Sequence, residues 1–242
     1  MSPLLLLAGV LALLWLLGTW LSRHIQGLIL LLTGSVRIAT ISYDALVLPG
    51  VILHELSHAL VALLLGVRVL RVNLFQFRNL YDPRQGEVIV ARADPLRMSL
   101  IGAAPLFGGL AVLTLLVRWL LPETGVGGLT LVHLGPLLSN WRALLVLYLL
   151  FAIANTMFPS EADRQAWWTV GAVALGVGLL LWLLGVQPEI PPAWIATLTH
   201  YADRLVAALV PVIIVDVVAL TIVLMLESLV SRVRGRRVIY RI

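Results

Sequence analysis

The chain has 242 residues, 61% of them hydrophobic and 12% charged, where a soluble domain carries about a quarter charged residues, so a water-soluble globule is excluded and an integral membrane protein is indicated. The formal net charge of +5 comes from arginine alone, lysine being absent; the arginines lie between apolar runs, which assigns them to membrane topology and argues against nucleic acid as a partner. Cysteine is absent too, which excludes disulfides and thiolate ligands and leaves histidine and carboxylate as the strong metal ligands.

Leu4 to Leu21 is apolar and long enough to cross a hydrocarbon core, which takes about 20 helical residues. No basic residue precedes it and no small-x-small cleavage site follows, so a retained anchor helix is expected. From Ser22 to Asp44 the chain is mixed, and its apolar patch from Leu28 to Leu32 is too short to cross. A connector is expected there.

A helix is predicted from Ala45, capped by Asp44 and with Pro49 in its first turns, where a missing amide is tolerated, ending at Gly66. In its apolar run sits His54-Glu55-Leu56-Ser57-His58. An ionisable group at membrane depth costs about 2.5–3.5 kcal/mol on insertion scales, so three in five residues need a compensating partner. On a helix His54 and His58 share one face a turn apart, the spacing with which two imidazoles grip one metal ion, while Glu55 points to a neighbouring sector within reach of a water on that ion. Such an H-E-x-x-H run is the arrangement of zinc hydrolases.

Val67 to Ala93 then changes period. Leu70, Val72 and Leu74 alternate with Arg71 and Asn73, and Val88 and Val90 with Ile89 and Ala91, around the turn residues Asp82-Pro83 and Gly86. A β-hairpin is predicted, a surface loop of β character being the alternative. Its free edge would accept an extended strand by main-chain hydrogen bonds.

A third span, Met98 to Leu121, opens with Gly102-Ala103-Ala104-Pro105 and Gly108-Gly109, which predict either close helix packing or a locally opened helix. The loop Pro122 to Trp141 carries His133, assigned to the interface. A fourth span, Ala143 to Phe158, runs into Asn155, Pro159, Glu161 and Asp163. Two imidazoles leave zinc one protein ligand short of a usual catalytic site; Asp163 is the first choice for the third, with Glu161 as competitor. Ala166 to Val186 is the fifth span, anchored by Trp167 and Trp168. Gln187 to Arg204 is read as a polar connector with an exposed His200, and Leu205 to Val230 as the sixth span. Asp216 near the middle of that span is expected either to hydrogen-bond a ligand histidine or to face another polar group of the bundle. The tail, with Arg232, Arg234, Arg236, Arg237 and Arg241, reads as a cytoplasmic stop or headgroup contact.

The expected fold is therefore an all-α polytopic membrane protein, with about six transmembrane helices and a small membrane-associated β-hairpin between the second and third. Most of the 17 arginines then fall in 67–97, 159–165 and 231–242, which places those segments and both termini on the cytoplasmic side.

With these motifs in hand, the chain resembles the site-2 protease superfamily, the intramembrane zinc metalloproteases of the M50 type. That family has H-E-x-x-H on one transmembrane helix, a β-rich membrane-associated segment, a helix with a Gly/Pro break, and a later N-x-x-P-x-x-x-x-D-G. Here they correspond to His54-Glu55-Leu56-Ser57-His58, the hairpin, Gly102-Ala103-Ala104-Pro105, and Asn155 with Asp163 at the family's interval. The resemblance covers roughly residues 43 to 165, preceded by an anchor and connector over 1–42 and followed by a two-helix segment with a basic tail over 166–242. It implies His54, His58 and Asp163 as Zn2+ ligands and Glu55 as catalytic base. It also implies a transmembrane protein as substrate, held as a strand by the hairpin edge and Asn155, and a prokaryotic cell membrane as the location. Two departures stand out: Pro159 falls one place late, and Arg164 replaces the family's Gly after the Asp. They leave a second reading, a catalytically inactive metal-binding membrane protein of the same fold that binds a partner. A transporter would need repeated halves, and the His motif has no second copy.

Overall fold

A computed structural model describes residues 2–74, 86–120, 140–186 and 191–240. Seven helices and one antiparallel strand pair occur among them: α1 (Pro3–Thr33), α2 (Val36–Leu46), α3 (Leu48–Leu64), β1 (Val69–Asn73), β2 (Glu87–Val90), α4 (Pro95–Leu120), α5 (Trp141–Ala154), α6 (Gln165–Leu183) and α7 (Pro192–Arg234). Asp82, Pro83, His133 and Arg241 lie outside the described residues.

Four of the helices, α1, α4, α6 and α7, are long and apolar enough to cross a membrane, and α2 with α3 makes a fifth if that bent pair is one span. The chain is thus a helical membrane protein with a very small sheet. Exposed Leu64, Leu115, Trp168, Leu175 and Met225 would be a liability in water and are natural against lipid.

Where helices begin and end departs from the sequence expectation in three places. The connector after Leu21 is helical: α1 continues for 31 residues to Thr33 and stops where Gly34 adopts φ 71°, a left-handed cap that its missing Cβ permits. Its polar residues lie on the helix rather than ending it, and His24 Nδ1 pairs with Glu227 Oε2 of α7 at 2.7 Å. Secondly, Asp44 does not cap the helix of the His motif, because it sits inside α2 and the position before α3 is Val47. The break falls at Val47 and bends the pair by 67°. Pro49 is the cause: it has no amide to give the Ala45 carbonyl, so α2 cannot continue, yet the same residue fits the first turn of α3. Thirdly, the polar stretch before Leu205 is helical from Pro192, so α7 runs 43 residues without interruption. At about 1.5 Å per residue that is roughly 64 Å. The polar residues there mark a helix extending past its apolar length.

α5 is the central element, with half of its 14 residues buried, whereas α6 buries none of its 19 and lies at the periphery against α4. One core joins Leu14, Leu113, Leu150, Met157 and Val212, drawn from α1, α4, α5 and its following turn, and α7. A second joins Leu21, Val47, Phe151 and Leu220. The third packs Ala62, Val67 and Ile101 against Val69 and Val90, fastening the strand pair to α3 and α4. β1 and β2 pair as expected for a hairpin, Val72 opposite Val88 and Asn73 opposite Glu87, with an irregularity between Val69 and Arg71. After α7 the tail turns back: Arg234 Nη1 donates to the Leu31 carbonyl at 2.7 Å and Tyr240 Oη to Glu227 Oε1 at 2.8 Å.

Candidate metal centre

His54 and His58 lie on the buried face of α3, and the turn that follows α5 brings Asp163 to them. His58 Nε2 is 3.1 Å from Asp163 Oδ1, His54 Nε2 is 3.6 Å from Asp163 Oδ2, and the two Nε2 atoms are 3.2 Å apart. Glu161, the rival carboxylate, is exposed on the cavity wall, and the three-residue group among the described residues is His54, His58 and Asp163.

The tautomers decide what this group can bind. His54 Nδ1 lies 2.6 Å from the Thr156 carbonyl and His58 Nδ1 lies 2.8 Å from the Ile101 carbonyl. A carbonyl only accepts, so each Nδ1 carries a proton, and each ring in its neutral form presents a bare lone pair at Nε2. Two lone pairs and a carboxylate then converge within 4.8 Å. Among themselves they repel, and a cation between them removes the repulsion. The donor set fits a metal ion on that ground.

Helix breaks supply both carbonyls. Pro105 sits inside α4, and its missing amide is the one that would have bonded the carbonyl four residues back, Ile101. That freed carbonyl is the His58 acceptor. α4 remains continuous rather than opening. The break shows instead as one redirected carbonyl. Thr156 lies just past the end of α5, where the last carbonyls lack intrahelical partners, and it serves His54 in the same way. Restoring an amide at position 105 should therefore disturb the metal rather than the fold. For Pro105→Ala we expect unchanged or higher resistance to unfolding in SDS and metal affinity lower by roughly 10-fold, the small end of the 10–100-fold range for partners of ligand imidazoles. Metal titration beside an SDS melt checks the split.

Asp163 is aimed by its own turn. The Ser160 amide donates to Asp163 Oδ2 at 2.7 Å, and the Asp163 amide donates to Ser160 Oγ at 3.3 Å. α4 packs tightly on this turn. A Cβ at Gly102 would strike the Asp163 carbonyl, one at Gly108 the Ser57 hydroxyl, and one at Gly109 the Met157 side chain, so the small residues serve close approach. Arg164 turns its guanidinium Nε to the Ser160 carbonyl at 3.2 Å and is exposed.

Glu55 is 7% exposed and borders a cavity of about 940 Å³ together with His54, His58, Asp163, Ile101 and β2 residues. The Gly86 backbone lies directly over it, since a Cβ there would come 2.6 Å from Glu55 Cγ and 2.7 Å from Oε1. Asn155, the expected substrate contact, also lines the cavity, but its amide is engaged elsewhere: Nδ2 donates to the Phe151 carbonyl at 2.8 Å and to Asp216 Oδ1 at 3.1 Å. Asp216 is accordingly the partner of Asn155 and not of His54 or His58, whose Nδ1 atoms are already taken by carbonyls. His24, His200 and Asp94 belong to no metal group among the described residues. The sequence did not single out Ile101 and Thr156, although the proline four residues after Ile101 was a usable signal. No protein-family model, no curated protein and no solved structure matches this chain.

Proposed function

We propose that the protein is an intramembrane zinc metalloprotease of the site-2 protease type, crossing the membrane about six times with both termini in the cytoplasm. The observation that carries the reading is one arrangement: two bare imidazole nitrogens and a carboxylate converging on one point, with a buried carboxylate that is not one of them on the same cavity wall. A purely structural site needs the first three groups and has no use for Glu55.

His54, His58 and Asp163 would hold zinc, which when bound supplies Lewis acidity, lowering the pKa of a water toward 7 and stabilising the oxyanion of a tetrahedral adduct. Glu55 takes a proton from the water as its oxygen attacks the peptide carbonyl carbon. As the C–N bond breaks, Glu55 returns that proton to the amine nitrogen. A transmembrane substrate hides its carbonyls in helical hydrogen bonds and has to unwind locally to expose one. β2 borders the cavity, and the strand pair has only two members among the described residues, so the β2 edge is the place for the unwound segment to add as a strand.

The test uses the full chain in detergent and then in vesicles. Bound zinc at one ion per chain, together with cleavage of a co-reconstituted single-span reporter that a chelator stops and added Zn2+ restores, is the expected result. Zinc binding without cleavage of a panel of such reporters would favour the second reading, a metal-bearing partner-binding protein. Failure to bind any added divalent metal would remove both.

A further inference from the structure

Asp216 is 1% exposed, near the middle of α7, and its side chain accepts from the Asn155 amide. A carboxylate so placed is costly. Two buried oxygens in this pair have no hydrogen-bond partner among the described residues, Asp216 Oδ2 and Asn155 Oδ1. One proton would serve both. A carboxylic acid and a primary amide pair as planar groups through two parallel bonds. The first, from Asn155 Nδ2 to Asp216 Oδ1, is in place at 3.1 Å; a proton on Asp216 Oδ2 donated to Asn155 Oδ1 would be the second.

What this pair fixes lies one residue further on. Asn155 caps the C-terminus of α5, and the next carbonyl, of Thr156, receives the His54 Nδ1 proton at 2.6 Å. α1 closes the third side: a Cβ at Gly18 would sit 3.1 Å from Asn155 Oδ1, so only glycine lets α1 approach the amide without pushing it. Helices distant in sequence thus meet on the residue that precedes a metal-orienting carbonyl.

We infer that Asp216 is a positioning residue of the metal centre, held as the neutral acid in a cyclic pair with Asn155 that fixes the Thr156 carbonyl against His54. The inference rests on the metal reading of the His-His-Asp group, and the experiment separates the two. Zn2+ affinity is measured by chelator competition on the detergent-solubilised full chain, and the visible spectrum of the Co2+-loaded protein is recorded, for wild type, Asp216→Asn, Asp216→Leu, Asn155→Ala and the double variant Asn155→Ala/Asp216→Leu.

Asparagine at 216 offers an N–H where the acid offers its O–H, so Asp216→Asn is expected to stay within about 3-fold of wild type with an unaltered Co2+ spectrum. Asp216→Leu and Asn155→Ala are each expected to lose about 10-fold with a shifted spectrum, and the double variant to lose no more than Asn155→Ala alone, because one acts through the other. Wild-type affinity in Asp216→Leu overturns the inference, as does a loss in Asp216→Asn equal to that in Asp216→Leu, or additive losses in the double variant. If Asp216→Leu does not fold, Asn155→Ala and Asp216→Asn still decide: an unchanged Asn155→Ala overturns it. A wild type that binds no metal overturns the metal reading and this inference together, whereas a metal-binding wild type with indifferent variants overturns this one alone.

Discussion

Glu55→Gln is expected to keep its metal and lose about 10²–10⁴-fold in cleavage rate, the span associated with a positioned general base. Glutamine occupies nearly the same volume beneath Gly86, so the close packing there survives. It has no basic oxygen pair to take a proton at neutral pH. Glu55 is not one of the three converging groups, so metal stoichiometry should stay at the wild-type value. Single-turnover cleavage beside metal analysis of the same sample reads both numbers. Cleavage at the wild-type rate would falsify the assignment of Glu55 as base, and loss of metal would make it a ligand instead.

His58→Ala and Asp163→Ala are expected to lower metal affinity by about three orders of magnitude or more, since on the proposed reading each removes one of three protein ligands, and zinc sites bind with a free energy of order 10 kcal/mol. The two should differ in stability. His58 is buried and bonded to the Ile101 carbonyl, so its removal leaves a gap and an unpaired acceptor in the interior. Asp163 sits in a turn with 17% of its side chain exposed, and its loss should relieve the crowding of acceptors in the metal-free protein. Metal titration with an SDS melt of each apo variant gives both readouts. Retention of tight binding in Asp163→Ala would transfer the third ligand to Glu161.

Much of this centre is legible in the amino-acid sequence, and the reason is local. The four-residue spacing of His54 and His58 sets their shared face whatever the tertiary fold, and three ionisable groups in an apolar run announce a partner by their cost alone. Period two locates both strands for the same reason. The choice between Asp163 and Glu161 is not local. Both follow Pro159 within one turn, and what separates them is the Ser160 amide, which takes Asp163 Oδ2 and turns that carboxylate inward. Helix boundaries fail where polarity is taken for an ending: His24 and the residues ahead of Leu205 are polar within continuous helices because they face another helix or lie beyond the apolar length. Asp216 needs the fold outright, since nothing near it in sequence names Asn155 as its partner.

The brevity of α5 has a consequence for the bilayer. Fourteen residues give a helix of about 21 Å in a hydrocarbon layer of about 30 Å. A lipid-facing helix with that mismatch would draw the leaflets together or tilt. α5 buries seven of its fourteen residues among the other helices, most of them in its second half. If α5 is one of the spans, a shortfall of roughly 9 Å falls to non-helical chain, and irregular backbone at membrane depth is tolerable only where protein or an aqueous recess surrounds it. The turn that carries Asp163 follows α5 and lies at the wall of the cavity. On the proposed reading, a hydrolase working inside a bilayer has to create a place where water outlasts lipid, and a helix too short to fill its own layer would supply one.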